Sequence, residues 1–464
     1  MMAVDHFEFA VIGGGKGGKT LAAKMASAGR KVVMVEKGMI GGSCINVACI
    51  PTKTMVRSAG VAELVRRAAR FGIRVAFDGA DPTAVRTRKR AVVEEMVARN
   101  QGNFDRSGMT LLLGTARFTA PRTFEVRLRD GGLRTLSADK VFLNTGTRPA
   151  LPPIPGLAEA RPLDSESVQE LDRLPAHLIV LGGGYVGLEF AQMFRRFGSA
   201  VTVIEGSEAF LPREDRDVAD EVIQCLRDDG ISVILGATVL RVDGRSGESV
   251  SVVLEAAQGE RVFEGSDLLA ALGRDPNTEE LALPAGGVET DDRGFIRVNA
   301  RLETTAAGTW ALGDVNGGPQ FTHASLDDWR IVAANLAGGN RSTAGRLVPY
   351  TLFIDPELGR IGLTEVEARR RGLRVRVATL EAGKVPRAMT SGETRGYLKA
   401  VVDADTDKLL GASIFAAQGG EVMAVIQVAM VAGLPWTALR NMIFAHPTMA
   451  EGLNDLFADL GPAE

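Results

Sequence analysis

Two stretches of the chain share one pattern of apolar and polar positions. In the first repeat, the apolar run HFEFAVI (6–12) leads into the glycine-rich GGGKGG (13–18), the helix-like KTLAAKMASAG (19–29) and the β-branched KVVMVE (31–36). Runs of β-branched residues are typical of strands, whereas apolar positions three and four apart are typical of a helix. The pattern predicts a strand, a tight turn, a helix and a second strand. The second repeat, LIVLGGGYVGLEFAQMFRRFGSAVTVIE (178–205), predicts the same elements.

The glycines and one acidic residue of the two repeats correspond in position. The equivalent pairs are Gly13 and Gly182, Gly15 and Gly184, Gly18 and Gly187, Gly29 and Gly198, and Glu36 and Glu205. In a dinucleotide-binding turn G-x-G-x-x-G, the first glycine makes the turn, the second lets the backbone approach a pyrophosphate and the third lets the helix pack on the strand. The helix N-terminus then presents free N–H groups to the phosphates. Because the pattern occurs twice, we predict two bound dinucleotides.

The first turn also fits a different signature. Residues 13–20 satisfy G-x-x-x-x-G-K-[ST], the pattern of a triphosphate-binding P-loop. The second repeat carries Leu188-Glu189 where the first has Lys19-Thr20. The Lys-Thr pair is therefore dispensable to the repeated pattern, and we favour the dinucleotide interpretation over the P-loop.

The acidic residue of each repeat bears on which dinucleotide is bound. It lies 23 positions after the first glycine, at the end of the predicted second strand. A carboxylate there accepts hydrogen bonds from a ribose hydroxyl and repels a 2′-phosphate. If the second repeat holds the nicotinamide nucleotide, Glu205 favours NADH over NADPH. Arg213 lies nearby in FLPRED (210–215), so both nucleotides stay candidates.

Two cysteines follow the first repeat. Cys44 and Cys49 lie in GGSCINVACIPTKTMVRSA (41–59). In a regular helix their separation is about 7.5 Å of rise alone, whereas a disulfide needs Cα atoms within about 6.8 Å. The pair therefore requires irregular backbone, such as a distorted helix start, which the neighbouring glycines and Pro51 suit. Lys53 supplies a cation that would lower the pKa of a thiol at a helix N-terminus.

Three interpretations of this pair are open: a redox-active couple, two inert buried thiols, or two ligands of a metal. A zinc site needs four ligands, and no further cysteine or histidine lies close to this pair in the sequence to complete the set. We favour the redox couple and predict no resident metal. The third cysteine, Cys225 in the helical run DVADEVIQCLRDDG (217–230), is predicted to be a small core residue.

Bulk composition narrows the classes of partner. The chain has 464 residues, of which 24% are charged, and a formal net charge of −3, so we predict no nucleic-acid or membrane partner. Its apolar runs are far shorter than the roughly 20 residues of a bilayer span. Residues 1–9 lack the basic and apolar segments of a signal peptide, and three cysteines are too few for a secreted disulfide framework. A cytoplasmic protein is therefore expected.

Between the two repeats, GGSC (41–44) through Lys53 resembles the FAD-dependent class I pyridine nucleotide-disulfide oxidoreductases, which include dihydrolipoamide, glutathione and mercuric reductases. Four further motifs extend the resemblance over essentially the whole chain: NTGTRP (144–149), LGRDPNT (272–278), WALGDV (310–315) and HPTMAE (446–451). The resemblance implies an α/β fold with two Rossmann-like dinucleotide-binding domains and a C-terminal α+β dimerisation domain. The implied boundaries are 1–150 with 275–345 for the FAD domain, 151–274 for the NAD(P) domain and 346–464 for the dimerisation domain.

The same resemblance implies a path for electrons. They would pass from NADH or NADPH to FAD, then into a disulfide between Cys44 and Cys49, and then to the substrate. Cys49 would be the thiol beside the flavin, and Cys44 the thiol that attacks the substrate. Lys53 would lie near the flavin N5 and pair with Glu189, for which the alternative is an ordinary exposed carboxylate on a helix.

Histidines and further cofactor-binding positions are implied as well. His446, oriented by Glu451, would be the acid–base residue at the thiol site of the opposite subunit of a homodimer. His323, at the start of a predicted helix, is either a flavin contact or a packed or exposed turn residue. Cofactor binding is implied for the three glycines of each G-x-G-x-x-G turn and for Glu36 and Glu205. The further implied positions are Gly42, Ser43, Lys53, Ala116, Thr145, Gly146, Glu189, Gly273, Arg274 and Asp314.

Several stretches resemble the reactive-chlorine-resistance branch of the family, which is associated with reduction of hypothiocyanous acid and Cu(II): FLPREDRDVAD (210–220), GGPQFTHASLDDWRIV (317–332), VPRA (385–388), ETRGYLKAVVD (393–403) and HPTMAEGLNDLF (446–457). This implies a small oxidant or a metal ion as the electron acceptor and a role in oxidative stress. Mercuric reductases use a C-terminal cysteine pair that NDLFADLGPAE (454–464) lacks, so Hg(II) reduction is not expected as the main activity. The alternatives are a dihydrolipoamide dehydrogenase or mercuric reductase-like activity and, from another class, a non-enzymatic NADH-binding redox sensor.

Overall fold

The structure is a computed structural model that describes residues 4–256 and 259–460. Residues 1–3, 257–258 and 461–464 lie outside the described part of the chain. They belong to the predicted FAD, NAD(P) and dimerisation domains, respectively. The chain divides into two compact units. The first comprises the chain up to Thr54, Ala84–Ala150 and Gly273–Arg346; the second comprises Met55–Thr83, Leu151–Leu272 and the chain from Leu347. The predicted boundaries of three domains stay a prediction.

The secondary structure begins with the first repeat and the cysteine segment. In chain order the elements are β1 (Val4–Ile12), α1 (Lys16–Ser27), β2 (Val32–Glu36), α2 (Ser43–Asn46), α3 (Cys49–Arg67), α4 (Pro82–Ser107), β3 (Thr110–Ala120), β4 (Thr123–Leu128), β5 (Leu133–Leu143) and β6 (Thr147–Pro149).

The second repeat opens the next group of elements. These are β7 (His177–Leu181), α5 (Tyr185–Phe197), β8 (Ala200–Ile204), α6 (Arg216–Asp228), β9 (Ser232–Ile234), β10 (Val239–Arg245), β11 (Ser249–Ala256), β12 (Gly259–Gly265), β13 (Asp267–Ala270), β14 (Arg274–Pro276), β15 (Thr309–Ala311) and α7 (Thr322–Leu336).

The C-terminal part alternates short strands and helices. Its elements are β16 (Tyr350–Leu352), β17 (Glu357–Gly362), α8 (Glu365–Arg370), β18 (Val375–Glu381), α9 (Pro386–Ser391), β19 (Tyr397–Asp403), β20 (Leu409–Ala416), α10 (Gly419–Val431), α11 (Trp436–Asn441) and α12 (Gly452–Leu456).

In the first unit, a sheet is built around the two strands of the first repeat. β1 pairs in parallel with β2, with Phe9 opposite Val32, and on its other side in parallel with β5. Parallel neighbours must be joined by a crossover, and α1 supplies it between β1 and β2. The strand, turn, helix and strand predicted for the first repeat are therefore confirmed. The sheet continues in parallel from β2 to β3 and from β5 to β15, while β4 pairs antiparallel with β3 and β5.

In the second unit, the second repeat forms the same arrangement. β7 pairs in parallel with β8, with Leu178 opposite Val201, and the order β13-β7-β8-β9 is parallel throughout. α5 is the crossover, and apolar residues along it, among them Leu188, Phe190 and Phe194, are buried. The second predicted strand–turn–helix–strand is confirmed. β10, β11 and β12 form a separate antiparallel sheet.

The C-terminal part is a five-stranded antiparallel sheet of order β16-β17-β20-β19-β18, to which α10 contributes buried residues such as Ile426. The runs YLKAVVD, LLGASIFA and GGEVMAVIQVAMV form β19, β20 and α10. The predicted α/β class is confirmed. Over the described ranges, none of the helices combines the length and the apolar character that crossing a bilayer requires.

Candidate active site

The first glycine-rich turn lies between β1 and α1, at the carboxyl end of a parallel strand. Gly13 has a φ of 97°, and a Cβ on it would lie 2.4 Å from the carbonyl oxygen of Asn144. Glycine alone tolerates both that conformation and that close approach. The Oδ1 atom of Asn144 accepts a hydrogen bond from the Gly18 N–H at 2.9 Å. The end of β5 therefore holds the start of α1 in place.

Glu36 lies at the end of β2, beside this turn. Its Oε2 accepts a hydrogen bond from the Gly14 N–H at 2.6 Å, and its Oε1 accepts from the N–H groups of Gly38 and Met39 at 2.7 and 2.8 Å. The carboxylate is buried. It is thus held rigidly at the end of the strand, where the dinucleotide interpretation requires an acceptor for a ribose hydroxyl.

The second glycine-rich turn has the same construction. Gly182 has a φ of 104°, and a Cβ on it would lie 2.4 Å from the carbonyl oxygen of Ala271. A Cβ on Gly187 would lie 2.1 Å from the Gly182 carbonyl oxygen, so α5 packs directly on the turn. Glu205 accepts a hydrogen bond from the Gly183 N–H at 2.7 Å. Each unit therefore presents a helix N-terminus with a carboxylate beside it, which supports the prediction of two dinucleotide sites.

Residues around the first turn fit FAD. The Thr145 hydroxyl is buried and has no hydrogen-bond partner within the described residues. Burial raises the pKa of the Asp314 carboxyl, while the charge of Arg274 and a hydrogen bond from the Thr147 hydroxyl act to lower this pKa. A Cβ on Gly42 would lie 2.8 Å from the Cα of Gly15, so the cysteine loop passes the turn at backbone distance. The Thr145 hydroxyl and the Asp314 carboxylate can hydrogen-bond to hydroxyl groups of this cofactor, and the N–H groups at the start of α1 suit its phosphates.

The other predicted cofactor residues of the first unit lie on β3, on α2, and on or directly before the paired strands β6 and β14. Arg274 donates to the hydroxyl and the carbonyl of Thr147 at 2.7 and 2.9 Å, and that hydroxyl donates to Asp314 at 3.2 Å. Gly146 and Gly273 have φ values of 69° and 114°, which suit glycine.

Two further positions have different settings. Ala116 is 2% exposed within β3, so only its backbone could contact a cofactor. Ser43 begins α2, directly after Gly42. Whether these positions bind a cofactor stays a prediction.

The cysteine pair lies on a break between two helices. Gly42, with a φ of 81°, precedes α2, which ends at Asn46; Val47 has a φ of −140°, and α3 begins at Cys49. The predicted irregular backbone is confirmed. The interruption brings two residues five apart in sequence close enough for their thiols to hydrogen-bond to each other.

No disulfide joins the sulfurs of Cys44 and Cys49 in this structure. The hydrogen bond to Cys49 and burial raise the pKa of the Cys44 thiol, whereas a hydrogen bond to the Thr322 hydroxyl and the positive charge of Lys19 lower it. The same hydroxyl lies 3.6 Å from the Cys49 sulfur. Thr322 begins α7 and lies more than 270 residues after Cys49 in the sequence. Its contact with the two thiols therefore could not be predicted from sequence spacing. Two adjacent thiols of this kind can lose two electrons and form a disulfide.

Cys225 has a different environment. It is 4% exposed in α6, and burial raises its pKa to about 12. A buried thiol with a raised pKa is inert. The prediction of a small core residue is confirmed.

His446 and Glu451 are brought together in the second unit. The Nδ1 atom of His446 lies 2.8 Å from Glu451 Oε2, and the imidazole is 70% exposed. Glu451 also accepts a hydrogen bond from the Thr448 N–H at 3.2 Å. The carboxylate therefore orients an accessible imidazole whose other nitrogen is directed away from the pair, as an acid–base residue requires. His323 is exposed and stacks on Phe321 at the start of α7, 5.2 Å between ring centroids.

Glu189 is 5% exposed in α5, and its Oε1 accepts a hydrogen bond from the Phe353 N–H at 3.0 Å. The alternative of an ordinary exposed helix carboxylate is therefore wrong. Lys53 lies in the first turns of α3. The pairing of Lys53 with Glu189 stays a prediction.

Comparison with known proteins extends these observations. Residues 7–328 match the family model of pyridine nucleotide-disulphide oxidoreductases, and residues 348–457 match the dimerisation domain of the same family. A probable pyridine nucleotide-disulfide oxidoreductase of Escherichia coli, RclA, is 42% identical over 98% of this chain and 99% of its own length. A mercuric reductase of Lysinibacillus sphaericus is 35% identical over 97% of this chain and 82% of its own.

One solved structure is similar over almost its entire length. It is the Cu(II) complex of the HOCl-induced flavoprotein disulfide reductase RclA from E. coli, with a TM-score of 0.89 and 40% identity over 98% of this chain and 99% of that one. The resemblance read from the cysteine segment and the repeats is confirmed. The chain is therefore an enzyme of the pyridine nucleotide-disulphide oxidoreductase family, whose members depend on FAD and NAD(P)H.

Proposed function

We propose that this enzyme is an NAD(P)H-dependent reductase that delivers electrons through Cys44 and Cys49 to a small oxidant such as hypothiocyanous acid or to a metal ion such as Cu(II). The observation that carries the proposal is the pair of adjacent thiols on the break between α2 and α3. The similarity to a reductase described as HOCl-induced, and solved with Cu(II), supports this class of acceptor.

The cofactors would be held by the two repeats. Gly13, Gly15 and Gly18 with Glu36, Asp314 and Thr145 would hold FAD, and the second repeat would hold the nicotinamide nucleotide. When bound, FAD supplies two-electron transfer between the nicotinamide and the cysteine pair. The work of the chain itself is to orient both cofactors and to supply the thiols, their hydrogen bonds and a proton donor.

The thiols would reduce the oxidant in two displacements. The thiolate of Cys44 attacks the sulfur of hypothiocyanous acid, which forms a Cys44–SCN sulfur–sulfur bond and breaks the S–O bond, and the departing oxygen takes one proton and leaves as water. The Cys49 thiol then loses its proton and attacks the Cys44 sulfur, which forms the disulfide and releases thiocyanate. In total the two thiols and one hypothiocyanous acid give the disulfide, thiocyanate, one water and one proton.

His446 would supply the proton in the first step. With its Nδ1 held by Glu451, its Nε2 is the nitrogen available to protonate the departing oxygen. In the proposal this imidazole acts at the thiol site of a second copy of the chain, so activity requires a homodimer. The match to the dimerisation domain supports that association, as do the exposed apolar side chains Val428, Val431 and Ile443, which are 68, 73 and 98% exposed.

The acceptor is tested by comparing substrates. Purified protein is expected to oxidise NADH rapidly with hypothiocyanous acid or Cu(II), and slowly with lipoamide, glutathione disulfide or Hg(II). A small oxidant needs only an accessible thiol and a proton donor, whereas Hg(II) reductases also use a further cysteine pair, and this sequence has one cysteine, Cys225, besides Cys44 and Cys49. The measurement is the steady-state loss of NADH absorbance with each acceptor at equal concentration.

The same comparison decides among the alternatives. Rapid turnover of lipoamide with none of the oxidant would establish a dihydrolipoamide dehydrogenase instead. A flavin that NADH reduces but that no acceptor reoxidises would identify a redox sensor.

NADH is proposed as the preferred nucleotide. The Glu205 carboxylate is held by the Gly183 and Ser207 N–H groups at 2.7 and 2.8 Å, at the end of β8 where a 2′-phosphate would approach it. We expect kcat/KM to be higher with NADH than with NADPH. In Glu205→Gln the ratio of these two kcat/KM values should fall about tenfold, which corresponds to about 1.4 kcal/mol of lost repulsion between the carboxylate and the 2′-phosphate. Glu208→Gln, which removes an exposed charge on the same loop, should leave the ratio unchanged. A wild-type preference for NADPH would contradict the assignment.

A further inference from the structure

Lys19 is a buried cation without a counter-charge. It follows Gly18 in α1 and is 7% exposed. Its Nζ donates to the carbonyl oxygen of Gly41 at 3.0 Å and to Oδ1 of Asn100 at 2.8 Å, and both acceptors are neutral. Across residues 4–256 and 259–460, no carboxylate lies within 4.0 Å of this ammonium group. Because burying an unpaired charge is unfavourable, its presence calls for a specific reason.

The second repeat shows that the fold does not need this lysine. Leu188 occupies the equivalent position in α5 and is 0% exposed. An apolar side chain therefore satisfies the packing of the helix on its strand in that repeat. The lysine of the first repeat must serve something that the second repeat lacks, and the segment it contacts is the glycine pair that leads to the cysteines.

The contacts of Lys19 lead to Cys44. A Cβ on Gly41 would lie 3.3 Å from the Lys19 Nζ, so the loop passes closely over the ammonium group. Gly41 and Gly42 have φ values of 94° and 81°, and α2, which carries Cys44 as its second residue, begins directly after them. A shift of the Gly41 carbonyl would therefore move the start of α2 and the thiol on it.

Electrostatics act in the same direction. The pKa of Lys19 is lowered to about 8, chiefly by burial and in part by the charge of Lys16, while Cys44 acts in the opposite direction. The hydrogen bond to Cys49 and burial raise the pKa of Cys44, and the positive charge of Lys19 opposes them. Lys19 is protonated over most of the neutral range, so its charge is available to a thiolate that burial disfavours.

We propose that Lys19 is a positioning residue for the thiol site, which holds the Gly41 carbonyl under the cysteine loop and provides the positive charge that stabilises the Cys44 thiolate. The inference deepens the proposed function and rests on Cys44 being the thiol that attacks the acceptor. It also gives a role to the Lys-Thr pair that resembles a P-loop. The lysine of that pair serves a thiol on a neighbouring loop, where a P-loop lysine would serve a phosphate.

The test is the reactivity of Cys44 in Lys19→Met. The flavin-loaded protein is reduced with one equivalent of NADH and alkylated with iodoacetamide between pH 5.5 and 9.5, and labelling of Cys44 is followed by mass spectrometry. We expect the rate at pH 7 to fall about tenfold, which is one unit of thiol pKa, and the pH profile to shift upward. Lys24→Met, the same substitution at an exposed position of the same helix, should keep the wild-type profile.

A second variant separates charge from shape. Asn100→Asp puts a carboxylate beside the ammonium group, which keeps the hydrogen bond but cancels the charge that reaches Cys44. We expect Asn100→Asp to shift the pH profile of Cys44 alkylation upward, as Lys19→Met does. This variant therefore tests the inference even if Lys19→Met does not fold. A wild-type profile in either folded variant would overturn the inference, as would loss of FAD from Lys19→Met with an unchanged thiol profile.

The wild-type sample used for alkylation also reports on the proposed function. If it turns over no acceptor, the proposed function fails whatever the alkylation profile. If it is active and Lys19→Met is alkylated like wild type, this inference alone fails.

Discussion

Cys44→Ser is expected to leave reduction of the bound flavin by NADH intact while turnover of every acceptor falls at least about 1,000-fold, the scale of loss when a nucleophile is removed. A serine hydroxyl does not ionise near neutral pH, so it can neither attack the oxidant nor form a disulfide with Cys49. The α2 backbone and the glycine-rich turn do not depend on the sulfur, so both cofactors should still bind. The measurements are the bleaching of the flavin by NADH in a stopped-flow instrument and steady-state turnover.

The third cysteine provides a matched control. Cys225→Ser makes the same change at a buried thiol of the second unit that lies 3.9 Å from the Asp355 carbonyl oxygen, and it should turn over acceptors like wild type. Normal turnover in Cys44→Ser would refute the role given to that thiol. Failure of NADH to bleach the flavin in Cys44→Ser would show that the cofactor sites depend on the Cys44 sulfur.

Alanine at the first glycine of each turn is expected to separate the two cofactor sites. Gly13→Ala should abolish FAD retention, because its Cβ would meet the Asn144 carbonyl oxygen at 2.4 Å with φ at 97°. Gly182→Ala should retain FAD but lose reduction by NADH, because its Cβ would meet the Ala271 carbonyl oxygen at 2.4 Å with φ at 104°. Either backbone must shift, and the helix N-terminus that would hold the pyrophosphate shifts with it. The readouts are flavin absorbance per chain and the rate of flavin reduction by NADH.

Gly29→Ala and Gly198→Ala isolate the cost of the backbone conformation. These glycines end the helices of the two repeats with φ values of 80° and 125°, and a Cβ on either would meet no atom within 4 Å. The penalty should be limited to the roughly 1–2 kcal/mol of a left-handed residue, visible as a lower unfolding temperature with both cofactors still bound. Loss of FAD from Gly182→Ala, with NADH binding intact in Gly13→Ala, would exchange the assignments of the two repeats.

Much of the chemistry could be predicted from local spacing. The glycines of the repeats and their acidic residues follow one another along a strand, a turn and a helix, so their separation in sequence determines their separation in space. The same holds for Cys44 and Cys49, whose spacing excluded a regular helix and predicted the interruption found between α2 and α3. It also holds for His446 and Glu451, which are five residues apart and in contact.

Other members of the site have no such local signal. Asn144 and Thr322 lie in the stretches NTGTRP and GGPQFTHASLDDWRIV, but no neighbouring residue indicates that Asn144 supports the start of α1 or that Thr322 contacts both thiols. Proximity in sequence predicts Lys53 as the cation of the thiol site. Lys19, which lowers the pKa of Cys44 in the structure, is separated from it by a helix and a strand.

The amino-acid sequence by itself therefore determined the class of this protein, the two glycine-rich turns and the identity of its thiol pair, because these depend on residues that are close along the chain. Only the tertiary structure decided which hydroxyl and which ammonium group surround those thiols and which carboxylates are buried. Parallel strands joined by crossover helices bring the ends of distant segments to one edge of a sheet, and the resulting neighbours depend on that topology rather than on spacing.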